Sequence, residues 1–343
     1  MPRNIVLADF VAAPGLRNRH VQTLLPRLRP LTRVERETEI VDLPDGDFVE
    51  LAWVQPAPAR PDAPLFLLFH GLEGSFDSPY ARDLLATASR LGYRAVLMHF
   101  RGCGQAPNRL ARAYHSGDTA DAYWVIGQLA RRYPQAIKIA AGVSLGGNML
   151  VKLVAEQGGD GLDLAGAIAI SAPLDLAASA DALNRGFSRI YQRHLLGALK
   201  RKVMLKMAAG LLPGMTAGRL RQLDTFWAYD NEVTAPLHGF SSASDYYRRA
   251  SAGTLLGEVE LPLLVLHAAD DPFMPSDLFE RLPAPSDAVR VEIARHGGHV
   301  GFLETRQHRL AGWLSRRVAR QLTVWTGVSQ STADVLRISQ SDS

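Results

Sequence analysis

The stretch Ala140-Ala141-Gly142-Val143-Ser144-Leu145-Gly146-Gly147 decides the fold. It is a Gly-x-Ser-x-Gly set between an apolar run and an amphipathic one. A serine at a sharp strand-to-helix turn adopts a strained backbone, so the residues two before and two after it must lack bulk, and Gly142 and Gly146 do. Upstream, Ala136-Ile137-Lys138-Ile139-Ala140 reads as a short buried strand. Downstream, residues 148–157 set Met149, Leu150, Leu153 and Val154 on one helical face before Gly158-Gly159 ends it. Strand before and helix after are the context a nucleophile elbow requires; without them the same letters describe a glycine-rich turn that happens to contain serine.

Working outward, Pro64 introduces Leu65-Phe66-Leu67-Leu68-Phe69, a continuous apolar run typical of a strand buried on both faces, which stops at His70-Gly71-Leu72-Glu73-Gly74-Ser75. Helix signals cover 79–91, a strand covers 94–99, and an amphipathic helix runs to about Tyr133, with Ser116 or Asp118 suited to cap it. Residues 165–171 form a further apolar strand. This alternation predicts a mostly parallel, doubly wound α/β sheet with helices on both faces. Residues 37–42 and 48–54, joined across Pro44-Asp45-Gly46-Asp47, read as an antiparallel edge hairpin.

After Pro173 the alternation breaks for some 85 residues of helical and loop-like sequence, then resumes with strands at 263–267 and 288–293. An insertion of that size after the sixth strand is where a helical lid or cap would sit, as against a mere elaboration of the core. Residues 1–34, rich in Pro and Arg, read as an arm on the body of the protein; their Asn18-Arg19-His20-Val21-Gln22-Thr23 has no role that physics alone assigns. A final helix is expected over 301–322 and a polar, mobile tail over 327–343.

Composition narrows the class. The 343 residues are 47% hydrophobic and 21% charged, ordinary for a soluble globular enzyme. The net charge of +4 comes from scattered arginine, with no dense basic block, so nucleic acid is not an expected partner, while anionic substrates or lipid headgroups would be tolerated. The single cysteine, Cys103, suits a reducing cytoplasm. With no signal peptide and no span of about 18 apolar residues, the expectation is a soluble, cytoplasmic chain without an integral membrane segment. Oligomeric state is not readable.

Serine is a poor nucleophile until a base takes its proton and a carboxylate fixes that base in the right tautomer. Asp270-Asp271-Pro272 follows the strand that ends at His267, and His299 lies in a glycine-flanked loop after the next strand. The order Ser144, Asp271, His299 therefore offers nucleophile, acid and base; neighbours in an extended turn point to opposite sides, so only one of Asp270 and Asp271 is expected to reach the imidazole, and the run Asp271-Pro272-Phe273-Met274-Pro275, with a proline four residues after the acid, favours Asp271. An oxyanion would be met by the N–H of Leu145 and by one from the loop after Phe69, Leu72 first and Glu73 as the fallback. The same loop places His70, Gly71 and Glu73 toward substrate, although a histidine at a strand end equally suits bracing. His296 and His299 lack the surroundings of a metal site, no Gly-x-Gly-x-x-Gly supports a nucleotide, and no cofactor is expected. His115 and Asp118 either line the pocket or cap the helix, and capping fits better. Cys103 reads as a small buried side chain.

His70-Gly71-Leu72-Glu73-Gly74-Ser75, Arg101-Gly102-Cys103-Gly104, Tyr114-His115-Ser116-Gly117, Gly142-Val143-Ser144-Leu145-Gly146-Gly147-Asn148, the run 233–240, Asp245-Tyr246-Tyr247, Ala269-Asp270-Asp271-Pro272-Phe273 and Gly297-Gly298-His299-Val300-Gly301-Phe302 together resemble the YheT-like branch of the α/β-hydrolases. Asn18, His20, Gln22 and Thr23 resemble its N-terminal arm, so the likeness spans about residues 15–320. It implies an α/β-hydrolase core at 35–174 and 262–326 carrying a helical lid at 175–261. It further implies a carboxylic-ester hydrolase acting on acyl esters, often lipid-like, through Ser144, Asp271 and His299; the apolar residues of the insertion, Leu195, Leu196 and Leu199 among them, suggest an acyl pocket, and the expected substrates are small short- to medium-chain esters. Alcohol acyl transfer from the same acyl-enzyme, and a non-catalytic binding module on the same fold, stay open.

Overall fold

The structure is a computed structural model that describes residues 3–327. Its centre is built by strands whose successive side chains point to opposite faces. In β4 (Leu65–Phe69) Leu65, Leu67 and Phe69 enter one apolar cluster while Phe66 and Leu68 enter another. The strands β1 (Ile5–Leu7), β2 (Glu35–Asp42), β3 (Phe48–Gln55), β5 (Arg94–His99), β6 (Lys138–Val143), β7 (Gly166–Ile170), β8 (Leu263–Ala268) and β9 (Val289–Ala294) complete a nine-stranded sheet in the order β1-β9-β8-β7-β6-β4-β5-β3-β2. It is parallel from β1 to β5; β3 and β2 add antiparallel to its far edge.

Helices cover both faces, because strands apolar on both sides must be buried on both. From α1 (Arg19–Leu24) the chain passes through the sheet's first strands to α2 (Pro79–Arg90), α3 (Ala120–Arg132) and α4 (Leu145–Gln157). Between β7 and β8 lie α5 (Leu176–Leu183), α6 (Ser188–Ala208), α7 (Ala217–Gln222), α8 (Phe226–Tyr229), a π-helical turn, α9 (Ala235–Leu237) and α10 (Ala243–Ala250). After them come α11 (Leu278–Arg281), the hairpin β10 (Leu303–Arg306) and β11 (Arg309–Gly312), and α12 (Trp313–Thr326). Leu84 and Leu85 of α2 share one cluster with Trp313, Val318 and Leu322 of α12; α3 and α4 fill the other. The helices between β7 and β8 contain no strand and close a third apolar cluster around Tyr191, Leu196, Val203, Phe226 and Tyr246.

Three expectations are corrected. The stretch 301–322 does not start as a helix: Phe302, Gln307 and His308 take positive φ of 44°, 48° and 63°, so the chain forms the β10–β11 hairpin and enters α12 only at Trp313. Phe302, fully buried, stacks on Trp313 and meets Phe10, which is what this turn serves. The arm contributes a strand, β1, three residues long and without periodicity, held by backbone bonds such as Ala8 N–H to Ile293 O (3.0 Å); the helical segment consequently follows the seventh strand. Neither Ser116 nor Asp118 caps α3, whose N-cap is Thr119 without a side-chain bond. The expected tail lies outside the described residues apart from Gly327. No helix among the described residues is long and apolar enough to cross a membrane.

Candidate active site

Ser144 occupies the turn between β6 and α4 with φ 53° and ψ −120°, a conformation side chains rarely adopt. Its N–H donates to Ile170 O of β7 (2.8 Å), so the sheet itself fixes the turn. Glycine is required nearby by contact: a Cβ on Gly146 would lie 2.6 Å from the carbonyl oxygens of Phe69 and His70.

Asp271 follows β8 and is 2% exposed. Its Oδ2 lies 2.8 Å from His299 Nδ1, and His299 Nε2 lies 3.0 Å from Ser144 Oγ. With a carboxylate on one ring nitrogen and a hydroxyl on the other, the network assigns the proton to Nδ1 and leaves Nε2 to accept from Ser144. Asp271 Oδ1 accepts from Phe273 N–H (2.8 Å), and the Phe273 ring stacks on the imidazole with centroids 4.0 Å apart. Asp270 turns the other way: its Oδ1 accepts from Gly298 N–H (3.0 Å), its Oδ2 lies 3.5 Å from His296 Nδ1, and burial raises its pKa. It bonds the histidine's loop but not its ring. From the arm, Thr23 Oγ1 accepts the His299 N–H (2.9 Å) and donates to Arg19 O (2.7 Å).

The loop after β4 lies against the nucleophile, a Cβ on Gly71 meeting Ser144 Cβ at 3.1 Å. Gly71 N–H donates to Tyr80 OH (2.8 Å) and Glu73 N–H to Tyr114 OH (2.9 Å). The fallback donor is therefore already engaged. Neither Leu72 N–H nor Leu145 N–H makes a hydrogen bond among the described residues. His70 is not on the substrate side: it is wholly buried, which depresses its pKa to about 3. Its Nε2 accepts from Phe100 N–H (3.1 Å) and its Nδ1–H donates to Gly71 O (2.7 Å). Because C=O and N–H point in opposite directions across a trans peptide, drawing the Gly71 carbonyl inward turns the Leu72 N–H outward. Glu73, with φ 54°, also spends its carboxylate within the protein, accepting from Tyr114 OH (2.7 Å) and from Lys202 Nζ of α6 (2.8 Å). Lys202 Nζ lies 2.9 Å from Cys103 Sγ, and burial pushes that thiol's pKa up to about 11.

Sequence reasoning gave no role to Thr23, Tyr80, Tyr114, Phe273 or Lys202, although Thr23, Tyr114 and Phe273 stand in the stretches that carry the resemblance. Thr23, Tyr114 and Lys202 act through contacts between distant segments, whereas Phe273, two residues beyond Asp271, lay within reach of a local signal.

The cleft above Ser144, about 2800 Å³, runs between the arm and the helices after β7, with Leu72, Leu145, Tyr191, Leu195, Leu199 and Phe273 among its lining. Asn148 of α4, fully buried, fastens those helices to the elbow, donating to Ser116 O and Ala250 O and accepting from Ala252 N–H. His115, Asp118 and His238 lie with ligand-type atoms within 4.8 Å of one another. Arg112 takes one oxygen of Asp118 (2.6 Å), and Arg112, Lys152 and Arg249 add positive potential at His115, as Arg112, Arg101 and Lys206 do at His238. That potential opposes a cation, and the group is a polar contact between the end of α9, where His238 packs on the His115 ring, and the loop before α3.

The sequence profile of the α/β-hydrolase fold matches residues 64–305. The chain is 41% identical over 321 residues to YheT of Escherichia coli (strain K12), whose name marks it as a candidate esterase; the match covers 93% of this chain and 94% of that one. It is 28% identical over 293 residues to the phospholipase ABHD3 of Mus musculus, covering 82% of this chain and 70% of that one. Among solved structures, the esterase Pf2001 of Pyrococcus furiosus superposes with a TM-score of 0.54 at 14% identity, covering 86% of this chain and 94% of that one. At that identity the likeness concerns the fold.

Proposed function

The chain belongs to the α/β-hydrolase fold family, and from that premise we propose that it is a serine-type carboxylic-ester hydrolase acting on short- to medium-chain acyl esters. The observation that carries the reading is the unbroken line from Asp271 Oδ2 through His299 to Ser144 Oγ, at 2.8 and 3.0 Å. His299 Nε2 takes the Ser144 proton as Oγ attacks the ester carbonyl, and Asp271 holds the ring and stabilises the imidazolium that forms. The N–H groups of Leu145 and Leu72 receive the oxyanion, each worth about 3 kcal/mol in the transition state by precedent. The imidazolium then gives its proton to the departing alkoxide, leaving an acyl group on Ser144. A water deprotonated by His299 attacks that acyl-enzyme, and collapse of the second tetrahedral species returns the proton to Ser144 and frees the acid.

In this reading residues 1–34 are an arm, residues 35–174 and 262–326 the catalytic core, and residues 175–261 a lid whose apolar lining takes the acyl chain. The names of relatives, an esterase and a phospholipase, support the substrate class. The single cysteine, which cannot form an internal disulfide, agrees with work in the cytoplasm.

The test is a fluorophosphonate probe with p-nitrophenyl esters of increasing chain length. The probe labels the parent and not Ser144→Ala, and esterase activity falls by on the order of 10⁵ or more in that variant. Medium-chain esters exceed acetate in kcat/KM. An unlabelled parent without activity on any ester overturns the hydrolase reading; a preference for acetate overturns the acyl-pocket role of 175–261.

A further inference from the structure

We propose that the mouth of the cleft is a docking surface for an anionic lipid bilayer. The inference deepens the acyl-ester reading, on which its purpose rests, but it stands on charge and exposure rather than on the catalytic residues.

Residues 10–34 hold five arginines and no acid; residues 182–223 hold nine lysines and arginines and again no acid. The chain as a whole carries only +4, so everything outside these two segments is net negative by ten. The positive charge is concentrated, although along the sequence it looks dispersed. The two segments are 150 residues apart in sequence yet adjoin in the fold. His20 of α1 hydrogen-bonds Tyr191 of α6 (3.1 Å) and packs on Phe187 with ring centroids 4.4 Å apart. Both segments line the cleft that contains Ser144 and His299.

Most of these cations are uncommitted. No arginine of the first segment makes an ion pair among the described residues, nor do Arg185, Arg189 or Arg193. The same segments carry large apolar side chains that stay exposed: Leu28 is 80% exposed, Ile190 57% and Phe187, despite its contact with His20, 46%, with Leu24 at the end of α1 and Leu205 farther along α6. Exposed aliphatic groups interleaved with unpaired arginines supply the two signals that stable peripheral membrane binding needs, apolar insertion and attraction to anionic headgroups. A nucleic-acid surface would stack bases on aromatic rings, and Phe187 is the one exposed large aromatic of the two segments. Seated this way, the protein would present the open cleft to the layer from which an acyl ester is drawn.

The experiment is vesicle flotation of full-length Ser144→Ala protein, so that no lipid is hydrolysed. Vesicles of phosphatidylcholine alone are compared with vesicles in which about one third is phosphatidylglycerol. At about 0.1 M salt the bound fraction is expected to be at least tenfold higher on the anionic vesicles, and to fall sharply by about 0.5 M as screening shortens the reach of the arginines. Arg19→Glu with Arg189→Glu abolishes the preference for anionic lipid, and Leu28→Ser with Ile190→Ser lowers binding at any salt. Arg19→Gln with Arg189→Gln gives an intermediate loss and serves if the charge reversal misfolds. Equal binding to both vesicle types, variants that bind like the parent, or displacement from vesicles by equimolar duplex DNA each overturn the proposal. Leu28→Ser with Ile190→Ser on the Ser144 enzyme leaves hydrolysis of a soluble ester unchanged. Vesicle binding without hydrolysis by any form would instead break the hydrolase reading and leave this surface standing.

Discussion

The two reacting ends of the site are held by different means. Ser144 is positioned by its own neighbourhood: glycines two away, the β7 carbonyl that takes its N–H, and the carbonyls of Phe69 and His70 against which Gly146 closes. His299 is positioned by a segment 276 residues earlier. Its loop carries Gly298 at φ 57°, where a Cβ would come within 2.3 Å of Arg19 O and 2.6 Å of Thr23 Oγ1. Gln22, fully buried behind it, takes Leu303 N–H on its oxygen (2.7 Å) and gives its amide hydrogens to the carbonyls of Leu16 and Leu303. One end is thus held by the strands at the centre of the sheet, whereas the other depends on the arm having docked.

The largest effect that tests this contrast lies at the base end. Asp271→Asn retains a side chain of the same size but offers an N–H to a ring nitrogen that already carries one, so the imidazole is driven into the wrong tautomer. A loss on the order of 10⁴ in kcat is expected, as in the serine-protease precedent. Asp270→Asn, which touches the loop at Gly298 N–H and not the ring, loses no more than about tenfold, a positioning effect. Equal losses would mean that the two carboxylates hold the loop as one unit, and a greater loss at Asp270 would reverse their roles.

A middle-sized effect is expected in the arm. Thr23→Val keeps the shape and removes the acceptor for His299 N–H, so the ring shifts relative to Ser144 Oγ. A displacement of about 1 Å can cost up to 10² in rate, and a fall of ten- to a hundredfold in kcat with KM for a soluble ester unchanged is the expected split. Thr23→Ser, which retains the hydroxyl, restores most of the rate. If Thr23→Val turns over like the parent, the loop holds itself and the contrast with Ser144 disappears.

This contrast also explains what could be read in advance. The strands β4, β5 and β8, the edge hairpin and the elbow are local patterns of apolar period and glycine placement, and each falls within a residue or two of where its sequence puts it. Ser144, Asp271 and His299, named from separate motifs, lie in one hydrogen-bonded line. What escaped is non-local. β1 has three residues and no alternation; its strand character exists only against β9. The β10–β11 hairpin follows from positive φ at non-glycine residues, which composition does not announce. Glu73 looked available because its ties run to Tyr114 and to Lys202, 129 residues away.

The smallest effect concerns His70, the brace behind the nucleophile's loop, and is read in stability rather than rate. Buried and neutral, its pKa is depressed to about 3, against 6.5 for a free imidazole. Between those values the unfolded chain binds a proton that the folded chain refuses, so stability rises with pH; the contribution is whole above pH 6.5 and drains away on acidification toward pH 3. A variant without an ionisable group at this position, His70→Asn, is destabilised at pH 7 by loss of the bonds to Phe100 N–H and Gly71 O. It escapes the acid penalty, and at pH 5 that penalty amounts to about 2 kcal/mol in the parent. Urea unfolding of both proteins at pH 7 and pH 5 should show the gap between them narrowing by about that amount, while His115, His238 and His267, also held below the usual range by burial, contribute equally to each and cancel. A gap that stays constant with pH would mean that His70 charges in place, and the Gly71 carbonyl, with the outward Leu72 N–H that depends on it, would then have to be held by Gly74 N–H, which also donates to Gly71 O (2.9 Å), while Tyr80 and Tyr114 fix the N–H groups of Gly71 and Glu73.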